Sequence, residues 1–236
     1  MLVIAHRGAS GTCPENTLAA FRRAAAMGAH MIELDVQLTA DRAVVVMHDW
    51  TLERTTDGRG AVGDHRLAEL ERLDAGRWFG AAFRGERVPT LADVLQAVAI
   101  PVNVELKPRG DDELEACALA VVEAANAVGR VVFSSFAPDA LVRVRTRSAD
   151  AALAVLWEDP DTTQGLHLAE RVHARALHLR KDAVTLAAVD AARARGLAVR
   201  AWTVNERADF DRVRRAGVDG VFTDYPERFL HNEVDA

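Results

Sequence analysis

The chain has 236 residues, half of them hydrophobic, and a formal net charge of −6 at pH 7. This length fits one domain, residues 1–236, of the size of a single α/β barrel. The acidic balance argues against binding to nucleic acid or to an anionic membrane surface. Cys13 and Cys117 lack the spacing of a disulfide framework and are expected to be reduced thiols. No signal peptide or membrane span is predicted, so we expect a cytoplasmic protein without a stable membrane anchor.

Short β-rich segments alternate with helical ones along the chain, which is typical of a parallel α/β sheet or barrel. The predicted strands are, in chain order, "LVIAH", "MIELDV", "AVVVMH", "VNVELK", "VVFSSF", "ALAVLW", "ALHLR", "AVRAWT" and "GVFTD". Three helices are bracketed by an N-cap type residue and a glycine, namely Asn16 and Gly28, Asp182 and Gly196, and Asn205 and Gly217. Thr90 followed by Asp93 predicts a capping box at the start of another helix.

These strands number one more than a closed eight-stranded barrel needs. The segment "QLTADR" between the second and third is too short for a parallel crossover, which takes a dozen or more residues. It predicts instead an antiparallel hairpin that turns at Ala40 and Asp41 and returns His48 to the level of Glu33. The predicted fold is therefore α/β, a TIM-type (β/α)8 barrel with an insertion after the second strand and its hairpin.

The insertion is predicted over residues 50–89, a glycine-rich segment without strong periodicity. It is too apolar for a disordered linker, and Trp78, Phe79 and Phe83 are expected to form a small core of its own. Long loops in compact domains are usually functional. We therefore expect an ordered insertion or lid over one end of the barrel.

Two carboxylates sit on one face of the second predicted strand, "MIELDVQL". Because side chains alternate along a strand, Glu33 and Asp35 point away from the apolar residues between them. Glu105 occupies the corresponding face of the next barrel strand, "VNVELK". An exposed polar face would explain either strand alone. Three carboxylates on two neighbouring strands instead predict a site for a hard divalent cation, Mg²⁺ or Ca²⁺, with Mn²⁺ also acceptable.

Basic and imidazole side chains occur at the same strand ends, where barrels of this type build their active sites. Arg7 and Lys107 supply positive charge beside the expected cation, a combination that suits a phosphate oxygen. His6 and His48 come from different strands and can face each other across that phosphate. One could then act as base and the other as acid in an in-line displacement.

Four further polar residues are expected to support this site. Asn16 is interpreted as the N-cap of the first helix, and Glu15 as a residue that orients Arg7. Asp49 fits either a contact with a histidine or a turn, and Asp224 fits either a hydrogen bond that closes the site or the plain end of the last strand.

The segments "HRG", "PENT", "ELD", "HD" and "ELK" follow one another in this order along the chain. This succession resembles the glycerophosphodiester phosphodiesterase family, and the length resembles its short cytoplasmic bacterial members. The similarity runs from residue 3 to about residue 226, with one departure at Cys13, where a tyrosine or alanine is usual before "PEN". The segments that carry it are "HRGASGTCPENTLAAF", "IELDVQLTAD", "VVMHDWTLERTTDGRG", "PTLADVL", "VNVELK", "SSF" and "AWTVNE".

The resemblance implies a TIM-type barrel with one divalent metal, and hydrolysis of a glycerophosphodiester to glycerol 3-phosphate and an alcohol. It matches His6 and His48 to the catalytic pair, with His6 as the base. The other matches are Glu33, Asp35 and Glu105 to the metal ligands, Arg7 and Lys107 to the phosphate contacts, and Trp202 to an aromatic at the pocket rim.

Several points stay open in the sequence. A lysophospholipase D of the sphingomyelinase D type would use the same residues, but would also need an apolar groove for an acyl chain. A non-catalytic phosphodiester-binding barrel would typically have lost a histidine or a carboxylate, and a metal-dependent aldolase would not explain two histidines beside a basic site. The expected partner is a small phosphodiester. The nucleophile, either water or the substrate's 2-hydroxyl, the headgroup and the oligomeric state are left open.

Overall fold

The protein is an eight-stranded parallel barrel, in a computed structural model that describes residues 1–110 and 113–230. The strands are β1 (Leu2–Ala5), β2 (Met31–Leu38), β3 (Val44–Val46), β4 (Val102–Leu106), β5 (Val131–Ser135), β6 (Ala152–Trp157), β7 (Ala176–Arg180), β8 (Ala198–Trp202) and β9 (Gly220–Thr223). They pair in the order β1-β9-β8-β7-β6-β5-β4-β2-β3, and a further pairing of β1 with β2 closes the barrel. The predicted TIM-type barrel is confirmed.

The extra strand is the returning arm of a hairpin, as the short connection predicted. β3 runs antiparallel to β2, with Val36 opposite Val46 and Leu38 opposite Val44. β2 in turn pairs in parallel with β4. β3 therefore lies outside the closed barrel and brings the residues that follow it back to the barrel mouth.

Helices fill the connections between successive barrel strands in the described part of the chain. They are α1 (Leu18–Ala26), α2 (Leu67–Leu70), α3 (Leu91–Ala97), α4 (Glu113–Ala124), α5 (Pro138–Arg147), α6 (Thr163–Arg171), α7 (Leu186–Arg193) and α8 (Arg207–Arg215). The short α2 belongs to the segment after β3. None of the helices in the described ranges has both the length and the apolar composition that a membrane crossing requires.

The main core lies between the barrel and its surrounding helices. Ile32, Leu34 and Val36 of β2 are fully buried in it. Glu33 and Asp35 alternate with these residues and point to the barrel interior, where they are also buried. The strand therefore reads as buried on both faces, which is typical of parallel sheets.

Three of the predicted helix starts are wrong by one to three residues. The N-caps of α1 and α7 are Thr17 and Thr185, whose hydroxyls accept hydrogen bonds from the backbone N–H groups of Ala20 and Ala188. The N-cap of α8 is Glu206. Asn16 and Asn205 are not caps because their side chains bind site carboxylates instead. The capping box of Thr90 and Asp93 is confirmed.

The segment over residues 50–89 has a buried core, but an aliphatic one. Trp78, Phe79 and Phe83 contact one another edge to face, yet none is buried, and Trp78 is 40% exposed. The expectation that these rings form the core is therefore wrong. The buried cluster consists of Val45, Met47, Leu52, Val62, Leu70, Ala75 and Val88, so it joins the segment to β3 and the residue after it.

One glycine has a clear structural reason. Gly8 follows β1 with φ of +82°, and a Cβ at this position would lie 2.7 Å from the carbonyl carbon of Ala20. The left-handed backbone and the close approach of α1 both favour glycine here. This turn sets Arg7 at the mouth of the barrel.

Candidate active site

Three carboxylates from β2 and β4 form one cluster inside the mouth of the barrel. In the strand register Asp35 lies opposite Glu105, and Glu33 lies opposite Asn103. The carboxylates of Glu33, Asp35 and Glu105 each offer an oxygen within 4.8 Å of the others. Glu33 is 3% exposed and Asp35 is 1% exposed. A cluster of this kind could hold a metal ion.

The carboxylates do not share the same electrostatic state. Burial raises the pKa of Glu33 well above its usual range, and the charges of Asp35 and Glu105 act in the same direction. Burial and the Asp35 charge likewise raise the pKa of Glu105 to about 7. Burial opposes ionisation of Asp35 too, but the Arg7 and Lys107 charges hold its pKa below the ordinary value. Full ionisation of the cluster is therefore unfavourable without a further positive charge, and a bound cation would supply that charge.

Arg7 contacts two of these carboxylates by different groups. The Arg7 backbone is in the left-handed region, with φ of 56°. Its N–H donates to Glu33 Oε2 at 2.8 Å. Its Nε lies 3.5 Å from Asp35 Oδ2, and its Nη1 donates to Glu15 Oε1 at 2.9 Å. The expectation that Glu15 orients Arg7 is confirmed. Lys107 Nζ completes the positive side, 3.6 Å from Asp35 Oδ1.

His6 is held by a carboxylate from the last strand's end. Its Nδ1 lies 2.7 Å from Asp224 Oδ1. Burial works against ionisation of Asp224, but the hydrogen bond to His6 and its charge lower the pKa to about 2. An ionised carboxylate can only accept, so His6 Nδ1 carries the hydrogen and Nε2 is left for substrate. Ser10 Oγ and Asn205 Nδ2 also donate to Asp224. Of the two expectations for Asp224, the closing hydrogen bond is confirmed.

His48 is held in the same way by its neighbour. Its Nδ1 lies 2.6 Å from Asp49 Oδ1, which confirms the expected contact between Asp49 and a histidine. Burial lowers the pKa of His48, the Asp35 charge opposes this, and the Arg7 charge adds to it. Gln37 on β2 donates to the backbone carbonyls of Met47, His48 and Asp49, and so fixes the returning chain.

These groups line one cavity of about 180 Å³ at the mouth of the barrel. Its polar wall contains His6, Arg7, Glu33, His48, Asn103, Glu105, Lys107 and Thr203. Its apolar wall contains Phe136, Leu156, Trp202 and Phe222. Trp202 packs edge to face on Phe136, with 5.4 Å between ring centroids. The structure thus brings all eight predicted site residues together, seven on the cavity wall and Asp35 in contact with Arg7 and Lys107.

Besides the contacts of Ser10 and Asn205 with Asp224, the sequence reasoning missed the contacts that Asn16 and Arg54 make in this site. Asn16, predicted as a cap, donates through Nδ2 to Asp35 Oδ2 at 2.9 Å. Arg54, in the segment after β3, binds both Asp49 and Glu15. No local pattern marks either contact, because an exposed arginine in "TLERTT" reads as a solvated charge.

Comparison with known proteins decides the family. The model of the glycerophosphoryl diester phosphodiesterase family matches residues 6–228. The chain belongs to this family. It is 39% identical to a glycerophosphodiester phosphodiesterase of Caldanaerobacter subterraneus subsp. tengcongensis, over 98% of this chain and 96% of that protein. It is 35% identical to a glycerophosphodiester phosphodiesterase of Bacillus subtilis, over 97% of this chain and 85% of that one.

Solved structures of the family have the same fold. A phosphodiesterase of Oleispira antarctica, in complex with the product sn-glycerol-3-phosphate, matches with a TM-score of 0.90 and 33% identity. The match covers 97% of this chain and 94% of that one. A second member, from Silicibacter pomeroyi, matches with a TM-score of 0.88 and 30% identity over 97% and 91% of the two chains. The predicted resemblance is confirmed, and the chain is an enzyme of the glycerophosphodiester phosphodiesterase class.

Proposed function

We propose that the protein hydrolyses glycerophosphodiesters to glycerol 3-phosphate and an alcohol, with a divalent metal and two histidines. One observation carries the proposal: His6 and His48, each with its Nδ1 on a carboxylate, line the same cavity as Arg7, Lys107, Glu33 and Glu105. The sn-glycerol-3-phosphate bound by the Oleispira antarctica relative supports the choice of product.

The metal is proposed to bind Glu33, Asp35 and Glu105. The donor set fits, because it consists of carboxylate oxygens, which hard cations prefer. The raised pKa values of Glu33 and Glu105 also fit, since they reflect burial first and then the negative charge of neighbouring carboxylates, both of which a cation would offset. We propose Mg²⁺ or Ca²⁺, with Mn²⁺ as a substitute. When bound, the ion supplies positive charge that draws electrons from a phosphate oxygen and offsets charge in the transition state.

The chain's own residues then divide the work of an in-line displacement. Arg7 and Lys107 hold the phosphate oxygens by charge-assisted hydrogen bonds. His6, the base by resemblance to the family, takes a proton from the nucleophile at Nε2 while its oxygen bonds to phosphorus. The bond from phosphorus to the alcohol oxygen breaks, and His48 gives that oxygen a proton from Nε2. Asp224 and Asp49 keep both rings oriented and stabilise their charged forms.

Other assignments remain parts of the same proposal. Trp202 is the aromatic at the rim of the substrate pocket, and residues 50–89 with Trp50 form a lid that selects the headgroup. Arg109 lies over the exposed Trp50 ring, with 5.7 Å from its guanidinium carbon to the ring centroid. The cytoplasmic location stays a prediction.

The test is release of glycerol 3-phosphate from glycerophosphocholine and glycerophosphoethanolamine. The protein is treated with EDTA and then supplied with Mg²⁺, Mn²⁺ or Ca²⁺, and His48→Ala is run beside it. His167→Ala is the matched control, because His167 lies on the exposed face of α6 outside the cavity. The proposal expects metal-restored release that His48→Ala loses and His167→Ala keeps.

Other outcomes would redirect the proposal. A cyclic phosphate that appears before glycerol 3-phosphate identifies the substrate's 2-hydroxyl as the nucleophile. Turnover of lysophosphatidylcholine but not of glycerophosphocholine would replace the proposal with a lysophospholipase D. Folded protein that is silent with every metal on both substrate classes would contradict it.

A further inference from the structure

The guanidinium of Arg54 lies between the carboxylates of Asp49 and Glu15, and Arg54 does not line the cavity. Arg54 Nε and Nη2 donate to the carboxylate of Asp49 at 2.5 and 2.9 Å. Its Nη1 and Nη2 donate to the carboxylate of Glu15 at 2.7 Å each. Both contacts are bidentate, so the planar fork fixes the distance and angle between the two carboxylates.

Each of these carboxylates in turn holds one functional side chain. Asp49 Oδ1 binds His48 Nδ1, and Glu15 Oε1 binds Arg7 Nη1. The result is a continuous chain of charge-assisted contacts from His48 through Asp49, Arg54 and Glu15 to Arg7. Its two ends belong to different strands of the fold, since Arg7 follows β1 and His48 follows β3.

We propose that Arg54 is a positioning residue that sets the phosphate-binding Arg7 and the proton-transferring His48 in register. The inference rests on the proposed function. Arg54 does not line the cavity and acts only through Asp49 and Glu15. The Glu15 side chain is only 13% exposed, so its carboxylate meets both Arg7 and Arg54 largely away from solvent.

The electrostatics agree with this geometry. The hydrogen bond from Arg54 is the first cause that holds the pKa of Asp49 below its ordinary range. Burial opposes ionisation of Glu15, but the Arg54 hydrogen bond and the Arg7 charge keep its pKa low as well. Both carboxylates therefore stay charged acceptors for the side chains that they hold.

Loss of Arg54 is expected to affect binding and turnover together. Arg54→Met leaves Asp49 and Glu15 without their shared partner, so both His48 and Arg7 gain freedom to leave their productive positions. We expect kcat to fall about ten- to hundredfold, with KM rising as well. Arg54→Lys keeps the charge but cannot fork to two carboxylates, so it recovers only part of the loss.

The matched control is Arg87→Met in the same segment. Arg87 donates to the backbone carbonyls of Arg72 and Leu73 and touches neither Asp49 nor Glu15. Its loss loosens the segment without breaking the chain of contacts. We therefore expect a lower melting temperature in Arg87→Met with kcat and KM near those of the unchanged protein.

A rescue experiment separates positioning from folding. The Arg54 side chain is 44% exposed, so a small cation can reach its place from solvent. Guanidinium at millimolar concentration should restore part of the activity of Arg54→Ala, whereas potassium at equal ionic strength should not. Equal activity in Arg54→Met and the unchanged protein would overturn the proposal. So would equal losses in Arg54→Met and Arg87→Met without rescue.

A spectroscopic readout tests Arg54 independently of turnover. The Nδ1–H proton of a histidine bound to a carboxylate gives a slowly exchanging signal in ¹⁵N-edited NMR. In Arg54→Met the His48 signal should broaden or vanish, while the His6 signal, held by Asp224, stays. An unchanged His48 signal overturns the positioning role even in a protein without activity. Silence of the unchanged protein with every metal counts instead against the proposed function.

Discussion

Each histidine of the site has its Nδ1 bound to a carboxylate, but the two carboxylates are held by different kinds of donor. His6 is hydrogen-bonded to Asp224, which accepts from the neutral donors Ser10 and Asn205. His48 is hydrogen-bonded to Asp49, which accepts from the charged guanidinium of Arg54. The barrel's own strand ends and loops hold the first pair, whereas the segment after β3 holds the second.

This difference shows where the site is rigid and where it depends on an added element. The His6 side chain is 20% exposed and the His48 side chain 33%, so His48 is nearer to solvent. Salt screens the attraction between the opposite charges of the exposed Arg54 and Asp49 more than it affects hydrogen bonds from the neutral donors Ser10 and Asn205. The position of His48 is therefore expected to depend on salt more than the position of His6 does.

The largest effect is expected from a change in the carboxylate cluster, on which both histidines depend. Asp35→Ala takes away the most buried carboxylate of the cluster and the partner of Arg7 and Lys107. We expect metal-restored activity to fall by about a thousandfold or more, because the charge that holds metal and both cations is lost. Phosphodiesterase assays and calorimetric Mg²⁺ titration measure it. Asp211→Ala, at an exposed ion pair, is the control, and an active Asp35→Ala would refute the cluster's role.

The next effect compares the two histidines directly. His6→Ala and His48→Ala should each lower kcat about 10²- to 10⁴-fold, since each removes one proton transfer. The double variant should be little worse than either single one, because the two groups act in one step. Single-turnover kinetics measure all three. Strictly multiplicative losses would contradict the concerted scheme.

A smaller effect distinguishes the two supports. Ser10→Ala removes the hydrogen bond of one neutral donor to the Asp224 carboxylate and leaves the Asn205 contact in place. A hydrogen bond to a charged group contributes about 1.5–3 kcal/mol, but Asn205 still holds Asp224, so we expect kcat to fall less than about tenfold. Arg54→Met should lose more activity than Ser10→Ala, and only its activity relative to the unchanged protein should vary with salt. Initial rates of the three proteins at low and high ionic strength test this contrast. If the relative activities of both variants changed equally with salt, the contrast would be refuted.

The smallest effect is on stability against pH. Glu105 has a pKa of about 7 in the folded metal-free protein against an ordinary 4.5, so the folded state binds the extra proton between these values. The contribution of Glu105 to the stability of the metal-free protein therefore falls as pH rises from about 4.5 to about 7. Saturating Mg²⁺ should weaken this dependence, with a shift of a few degrees (~2–4 °C) in melting temperature at pH 8. Identical pH profiles with and without Mg²⁺ would contradict the cluster as its cause.

Much of the architecture was predictable because it is written in local patterns. Alternation placed Glu33 and Asp35 on one face of β2, and a six-residue connection, "QLTADR", excluded a crossover and so predicted the hairpin that returns His48. Strand ends then placed His6, Lys107 and the carboxylates at one mouth. Patterns with a short range were sufficient for these features.

The supports of the site were not predictable in the same way. Asn16 has the residue type of a helix cap, and only the fold shows that its side chain reaches Asp35, 19 residues away. Arg54 contacts Glu15 across 39 residues, a pairing that no spacing rule encodes. Aromatic content pointed to a core that the aliphatic side chains around Leu52 form instead. Long-range contacts decided each of these cases.

A crystal structure with Mg²⁺ and sn-glycerol 3-phosphate tests the central claim most directly. The account predicts one cation bound by Glu33, Asp35 and Glu105, with the phosphate between His6 and His48 and in contact with Arg7. A phosphate bound away from either histidine, or a cation held by other residues, would contradict it.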